Sequence, residues 1–361
     1  MNASATVLRQ SGQKKKNNTL AFCVDEGYLP YALFVAEQFI ACYDELPCDI
    51  CICLPDMDAV PEKFLKSDIR FIEFSVEGID SLPVGQLSLA SYHRLFLPQM
   101  FDGIYEYILY LDADTFINRP FYDELMCVVD ALDEDFCVAA ATDISELVLR
   151  STKGLESRVP DEYFGAYHQF DHIYRNAGVL VFNTRNFNRK ESFNKVFTYV
   201  SENVSKLRCH DQSALNGALL KEMAFLPFAF NWQMHKLTLD ILDDANPYII
   251  HFISENKPWS LDNRFTRRYQ PYYKEYLNLN FPERVLDIIS VYERRNLFPK
   301  YSNPLREYFS KNIVRIKDLM VGINSIKMTN NSDQCVRRDI LKNYPFMVDH
   351  FDITYKKGSK R

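Results

Sequence analysis

No run of about 18 apolar residues occurs in the chain, so no segment reads as a transmembrane helix. Residues 1–18 are polar and include Lys14-Lys15-Lys16. They lack the apolar stretch of a secretory signal peptide and read as a disordered leader ahead of the fold. Positive charge is not in excess, since 42 Lys and Arg stand against 48 Asp and Glu for a net charge of −6. That balance argues against a general nucleic-acid binder. Cysteine is present nine times, an odd count, without a second ligand pair that would complete a zinc site near Cys48, Cys51 and Cys53. These three lie in a strand-like run whose side chains alternate faces. They read as free thiols of a reducing cytoplasm. No internal repeat or low-complexity tract is evident.

What is present is a large apolar share. Hydrophobic residues make up 47% of 361 residues, enough for a sizeable core in one large domain with an appendage, or in two domains. The 22 Tyr and 27 Phe fit an aromatic-rich core first and carbohydrate handling second. Charge is uneven. Residues 311–361 hold 11 Lys and Arg against 5 Asp and Glu, a net +6, while the rest of the chain holds 31 against 43, a net −12. A basic end on an acidic body suggests peripheral contact with an anionic membrane surface. A solvated tail without a partner is the alternative.

Along residues 19–261, short apolar runs alternate with helical patterns. Strands are expected at 20–24, 50–54, 69–74, 107–111, 136–142, 178–183 and 248–251. Helices are expected at 31–42 (with Pro30 at the start), 87–100, 186–203 and 211–221. This alternation predicts an α/β fold, a mostly parallel sheet flanked by helices. Ligands in such sheets bind beyond the carboxyl ends of the strands. Three polar groups fall there: Asp25-Glu26, Asp112-Ala113-Asp114 and His251. Residues 262–361 are Tyr- and Arg-rich and read as a helical, basic C-terminal extension.

The strongest local signal is Tyr107-Ile108-Leu109-Tyr110-Leu111-Asp112-Ala113-Asp114. An apolar strand delivers two carboxylates one residue apart, and residues i and i+2 of an extended chain point the same way. Both can reach one hard cation. Adding the imidazole of His251 suits Mn²⁺ better than Mg²⁺. Lys257 could offset diphosphate charge as a point cation. Gly178, in Asn176-Ala177-Gly178-Val179, permits close approach of the backbone to a ligand. Asp211 is placed either to cap a helix or, with Gln212, to enter the site.

Together these stretches resemble glycosyltransferase family 8, the retaining galactosyl- and glucosyltransferases with a GT-A fold, and are similar to bacterial lipopolysaccharide galactosyltransferases. The resemblance covers residues 20–259. It rests on Phe22-Cys23-Val24-Asp25-Glu26-Gly27-Tyr28, Ser91-Tyr92-His93-Arg94-Leu95, Leu109-Tyr110-Leu111-Asp112-Ala113-Asp114, Asn176-Ala177-Gly178-Val179, Asp211-Gln212-Ser213-Ala214-Leu215-Asn216, and His251 with Lys257-Pro258-Trp259. It implies a UDP-sugar donor and a glycan or glycolipid acceptor. Asp25 and Tyr28 would hold uracil and ribose. Asp112, Asp114 and His251 would bind Mn²⁺. Arg94, Asp112, Asn176 and Asp211 would touch the donor sugar, Gln212 would face the anomeric carbon, and Lys257 would bind the diphosphate. The chain departs from the family pattern at Ser213 (usually Asp), Ser254 (usually Gly) and Gly27 (often Asn). The first removes a carboxylate that would contact the sugar. The second bears on how closely the backbone approaches the diphosphate.

Two other readings use the same residues. A metal-dependent hydrolase or nucleotidyltransferase could use the Asp pair, but no activated nucleophile or second metal cluster is apparent. A catalytically silent sugar-nucleotide-binding protein is the other, against which the intact Asp112, Asp114 and His251 count.

Overall fold

The computed structural model describes residues 3–79, 90–146, 173–204, 207, 209–219 and 221–284. Eleven strands lie among them: β1 (Ser4–Gln10), β2 (Thr19–Cys23), β3 (Asp49–Leu54), β4 (Ile69–Glu77), β5 (Tyr107–Leu111), β6 (Thr115–Ile117), β7 (Val138–Thr142), β8 (Arg175–Asn183), β9 (Met223–Leu226), β10 (Trp232–Gln233) and β11 (Ile249–His251). The longer helices are α1 (Leu29–Ala41), α2 (Tyr122–Val129), α3 (Thr184–Arg189), α4 (Ser192–Glu202), α5 (His210–Ala218) and α6 (Gln270–Asn280).

Eight strands form one sheet in the order β1-β4-β3-β2-β5-β8-β7-β9. β4, β3, β2 and β5 are parallel neighbours, and β8 runs antiparallel between β5 and β7. β2 and β3 are buried at every position, as strands covered on both faces must be. That explains their unbroken apolar runs, and it places Cys48, Cys51 and Cys53 inside; the eight described cysteines are all free. From β2 the chain winds outward through β3 to β4, then returns to place β5 on the other side of β2. The crevice between β2 and β5 is therefore a topological switch point, where open α/β sheets hold ligands. Asp25 follows the end of β2 and Asp112 follows the end of β5.

Three local expectations are corrected. Within the stretch 1–18 read as a disordered leader, the described residues 3–18 include β1, which adds an antiparallel edge strand on β4. Its polarity is that of an exposed edge, with every residue but Ala5 exposed, and the unpaired N–H and C=O groups of β4 give it a partner. The helix expected over 186–203 is two helices, because Glu191 adopts φ 53° between them. In the described part of 87–100, the helix is broken into Ala90–His93, a 3-10 turn at Arg94–Phe96, and Leu97–Met100, which carries Pro98 in its first turn.

The boundary placed near residue 262 also shifts. Residues 263–281 cluster with residues 1–258 as one compact unit. Aromatic contacts are the cause. Tyr273 is fully buried, 4.3 Å from Phe34 between ring centroids, and its hydroxyl donates to the Thr115 carbonyl (3.0 Å). Tyr269 packs on Phe116 and Phe252. Of the extension read at 262–361, the described part carries the helix α6, and residues 285–361 lie outside the described residues.

Candidate active site

β5 ends at Leu111, and Asp112 N–H donates to the Gly178 carbonyl of β8 (2.8 Å). The chain then turns, with Thr115 N–H and Oγ1 both donating to the Asp112 carbonyl. After that turn β6 belongs to a second, three-stranded sheet, β10-β11-β6. β11 pairs antiparallel with β6, and His251 stands opposite Thr115. That register brings His251 beside Asp114. His251 therefore reaches the site from a separate small sheet and not as another strand end of the main sheet, which is how its sequence position reads.

Ligand-capable atoms of Asp112, Asp114 and His251 all lie within 4.8 Å of one another. His251 Nε2 is 3.2 Å from Asp114 Oδ1 and 3.9 Å from Asp112 Oδ2. Asp114 Oδ1 is buried and accepts no hydrogen bond. A buried carboxylate oxygen without a donor is costly, and here it lies 3.2 Å from an imidazole nitrogen, close enough for both to bind one cation. One imidazole and two carboxylates are a donor set for a divalent metal, so the residues present fit that group. Burial would raise the Asp114 pKa, but Lys257 and His251 override it and hold the carboxyl below its usual range. Lys257 Nζ donates to Asp114 Oδ2 and to the Phe252 carbonyl.

On the other side stands Arg94, buried. Its Nη1 donates to Asp112 Oδ1 (2.8 Å) and to the Ala177 carbonyl (2.6 Å). Tyr110 Oη donates to the same Asp112 oxygen (2.6 Å). Asp112 is thus clamped by two donors, which leaves Oδ2 toward His251. Arg94 Nε is 3.0 Å from Asp211 Oδ2, but its N–H is directed to the Ser91 carbonyl (3.0 Å). Asp211 Oδ2 consequently has a charge partner and no hydrogen-bond donor. Burial pushes the Asp211 carboxyl up to about 6 against the pull of Arg94, with Asp112 repelling it further. Asp211 does not cap α5; that position is Cys209, and Asp211 lies in the first turn.

Gln212 is held at both ends. Its Oε1 accepts from Ala177 N–H (3.0 Å), and its Nε2 donates to Asp143 Oδ2 (3.1 Å). Asn176 Nδ2 donates to the same Asp143 oxygen (2.9 Å). At the switch point, Asp25 Oδ1 accepts from Tyr28 N–H (3.0 Å). Burial raises the Tyr28 phenol to about 12, and the carboxylates of Asp114, Asp25 and Asp112 add to the rise. Hydrogen bonds and ion pairs join eight of the sequence-chosen residues (Arg94, Asp112, Asp114, Asn176, Asp211, Gln212, His251 and Lys257) into one network, directly or through shared partners, while Asp25 and Tyr28 stand just after the end of β2.

Three further residues belong to this network. Asp143 directly follows β7, at the same sheet edge as Asp25 and Asp112, and that position was a usable signal. Tyr110 was hidden inside an apolar strand. Asn231, fully buried, has its Oδ1 2.9 Å from His251 Nδ1; its only mark in the sequence is a lone amide between Phe-Ala-Phe and Trp. Gly178 also has a different reason from the expected one. A Cβ there would stand 2.1 Å from His251 Cε1, so the glycine makes room for the imidazole.

The sheet is an open α/β one, and Asp112, Asp114 and His251 could hold a metal ion beside its switch point. The Glycosyl transferase family 8 model matches residues 19–263, and the chain belongs to that family. It is 24% identical over 234 residues to General stress protein A of Bacillus subtilis (strain 168), covering 61% of this chain and 72% of that protein. It is also 24% identical to glycosyltransferase GlyE of Streptococcus pneumoniae serotype 4, over 52% of this chain and 41% of that protein, so it spans well under half of that relative. Among solved structures, galactosyltransferase LgtC in complex with donor and acceptor sugar analogs superposes with a TM-score of 0.57. The two are 19% identical, over 71% of this chain and 95% of that one. The bifunctional glycosyltransferase WbbM gives 0.53 at 18% identity, over 79% of this chain and 53% of that one. At these identities the likeness concerns the fold.

Proposed function

We propose that the chain transfers a hexose, galactose before glucose, from a UDP-sugar to a glycan or glycolipid acceptor with retention at the anomeric carbon, using Mn²⁺. The observation that carries this reading is the convergence of Asp112, Asp114 and His251 beside a clamped Arg94 and a doubly anchored Gln212. The metal, held by those three residues, would stabilise the charge that builds on the departing phosphate. Lys257 would add a fixed cation opposite the diphosphate. Arg94 and Asn176, locked by their own hydrogen bonds, would hold the sugar in one orientation. Gln212 offers an amide, a poor nucleophile, and the carboxylates beside it are engaged elsewhere, Asp143 with Asn176 and Gln212 and Asp211 with Arg94. Front-face attack, in which the departing phosphate oxygen takes the acceptor's proton, therefore suits these residues better than a two-carboxylate double displacement.

The test is Mn²⁺-dependent UDP release from a panel of UDP-sugars, with and without glycan acceptors, for the wild type and Asp114→Ala. Acceptor-stimulated release that Asp114→Ala removes is expected, with an α-linked product. Equal release without acceptor indicates the hydrolase reading, and binding without release the silent one. A β-linked product overturns retention. No helix among the described residues is long and apolar enough to cross a membrane. Peripheral contact of the cytoplasmic protein with anionic lipid through residues 311–361 is proposed on charge alone. Salt-sensitive sedimentation with anionic vesicles tests it, and no binding at low salt ends it.

A further inference from the structure

A histidine ligates through the nitrogen that carries no proton, and the hydrogen bond made by the other nitrogen decides which one that is. Around His251 this choice can be traced from fixed donors and acceptors. The Gly178 backbone N–H, which can only donate, points at Asn176 Oδ1 (2.9 Å). The other end of that amide, Nδ2, donates to the Asp143 carboxylate (2.9 Å). The Asn176 amide is thereby oriented twice over. Asn231 Nδ2 donates to Asn176 Oδ1 (2.8 Å), which turns Asn231 Oδ1 toward His251 Nδ1 (2.9 Å). An acceptor at that distance requires Nδ1–H. All three side chains are buried, so the opposite tautomer would set two lone pairs against each other with no water to intervene.

We infer that Asn231 is a positioning residue: it fixes His251 in the Nδ1–H tautomer and aims the Nε2 lone pair at the space between Asp112 and Asp114. The inference rests on the metal reading above. It also ties the metal ligand to Asn176, on the side of the donor sugar, through one shared amide oxygen. Outer partners of ligating histidines typically contribute 10–100-fold to metal affinity.

Two measurements on the full chain test this. The first is the ring ¹⁵N spectrum of metal-free protein labelled at its seven histidines, at a pH where they are neutral, with His251→Gln for assignment. The expected result is a proton on His251 Nδ1 in the wild type; a proton on Nε2 overturns the inference. The second is Mn²⁺ affinity, read from free Mn²⁺ by electron paramagnetic resonance without any donor. Asn231→Leu should bind about 10–100-fold more weakly. Asn231→Asp, which keeps an acceptor oxygen for Nδ1–H but loses the Nδ2–H donated to Asn176 Oδ1, should bind Mn²⁺ more tightly than Asn231→Leu. Asn231→Leu binding like the wild type overturns the inference while leaving the metal site intact. If Asn231→Leu fails to fold, the wild-type tautomer still decides. A wild type that binds no Mn²⁺ yet shows Nδ1–H overturns the metal reading and spares the tautomer assignment.

Discussion

At Gly178, one hydrogen atom in place of a methyl group decides whether His251 can reach the acids. A Cβ would stand 2.1 Å from its ring, and the buried ring cannot move aside without losing Asn231. Gly178→Ala should therefore cost about 1–3 kcal/mol of stability through overpacking and weaken Mn²⁺ binding at least tenfold. Thermal unfolding and metal titration check this, and an alanine variant unchanged in both would contradict the packing. Asp211 supports a pH prediction. Its folded pKa, near 6, lies above the ordinary 3.8, so the folded state binds the extra proton. The contribution of Asp211 to stability is then greatest at low pH and falls as pH rises from about 4 to about 6, by up to about 3 kcal/mol. In metal-free protein, the stability of the wild type relative to Asp211→Asn should fall across that window. A flat or rising difference would mean that Arg94 compensates the burial.

At the scale of elements, the small sheet β10-β11-β6 delivers His251 to the acids, and the segment after it carries Lys257. Ser254 sits between them at φ 57°, where L side chains are strained. The resemblance places Gly at this position, and the backbone supplies the reason. Ser254→Gly should stabilise the protein by up to about 1 kcal/mol, since the left-handed strain of about 1–2 kcal/mol is partly offset by the flexibility of unfolded glycine. The expected rise in melting temperature is a few degrees, and a fall would show that the exposed Ser254 makes an interaction outweighing its strain. The helix α5 shows how a short element can carry two functions: Asp211 pairs with Arg94, and Gln212 bridges Ala177 and Asp143.

For the molecule as a whole, the question is where the catalytic unit ends. α6 closes it, with Tyr273 buried against Phe34 and hydrogen-bonded to the carbonyl of Thr115 on β6. A chain ending at residue 281 should fold cooperatively and bind Mn²⁺ like the full chain. One ending at 262 loses that aromatic plug, and removal of one such buried ring costs about 3–5 kcal/mol, so it should melt far lower or fail to fold. Circular dichroism melts of the two truncations distinguish them. Equal melts would restore the boundary read near residue 262.

Much of this was legible along the chain because it depends on near neighbours. The apolar strand before Asp112-Ala113-Asp114 sets both carboxylates on one side, and Pro30 sits in the first turn of α1. Strands β2 and β3 announce their double burial by unbroken apolar runs. What the sequence could not carry was contact between residues far apart in it. The pairing of β11 with β6, 136 positions apart at His251 opposite Thr115, exists only after two separate sheets are assembled. The same holds for β1, whose polar residues become a strand because β4 offers an open edge. It holds for Asn231 too, which acquires a role only when burial leaves its amide no partners but Asn176 and His251. Periodicity reports which face of an element is buried; which buried groups then meet is decided by the tertiary fold, because hydrogen bonds and ion pairs act only over a few ångströms.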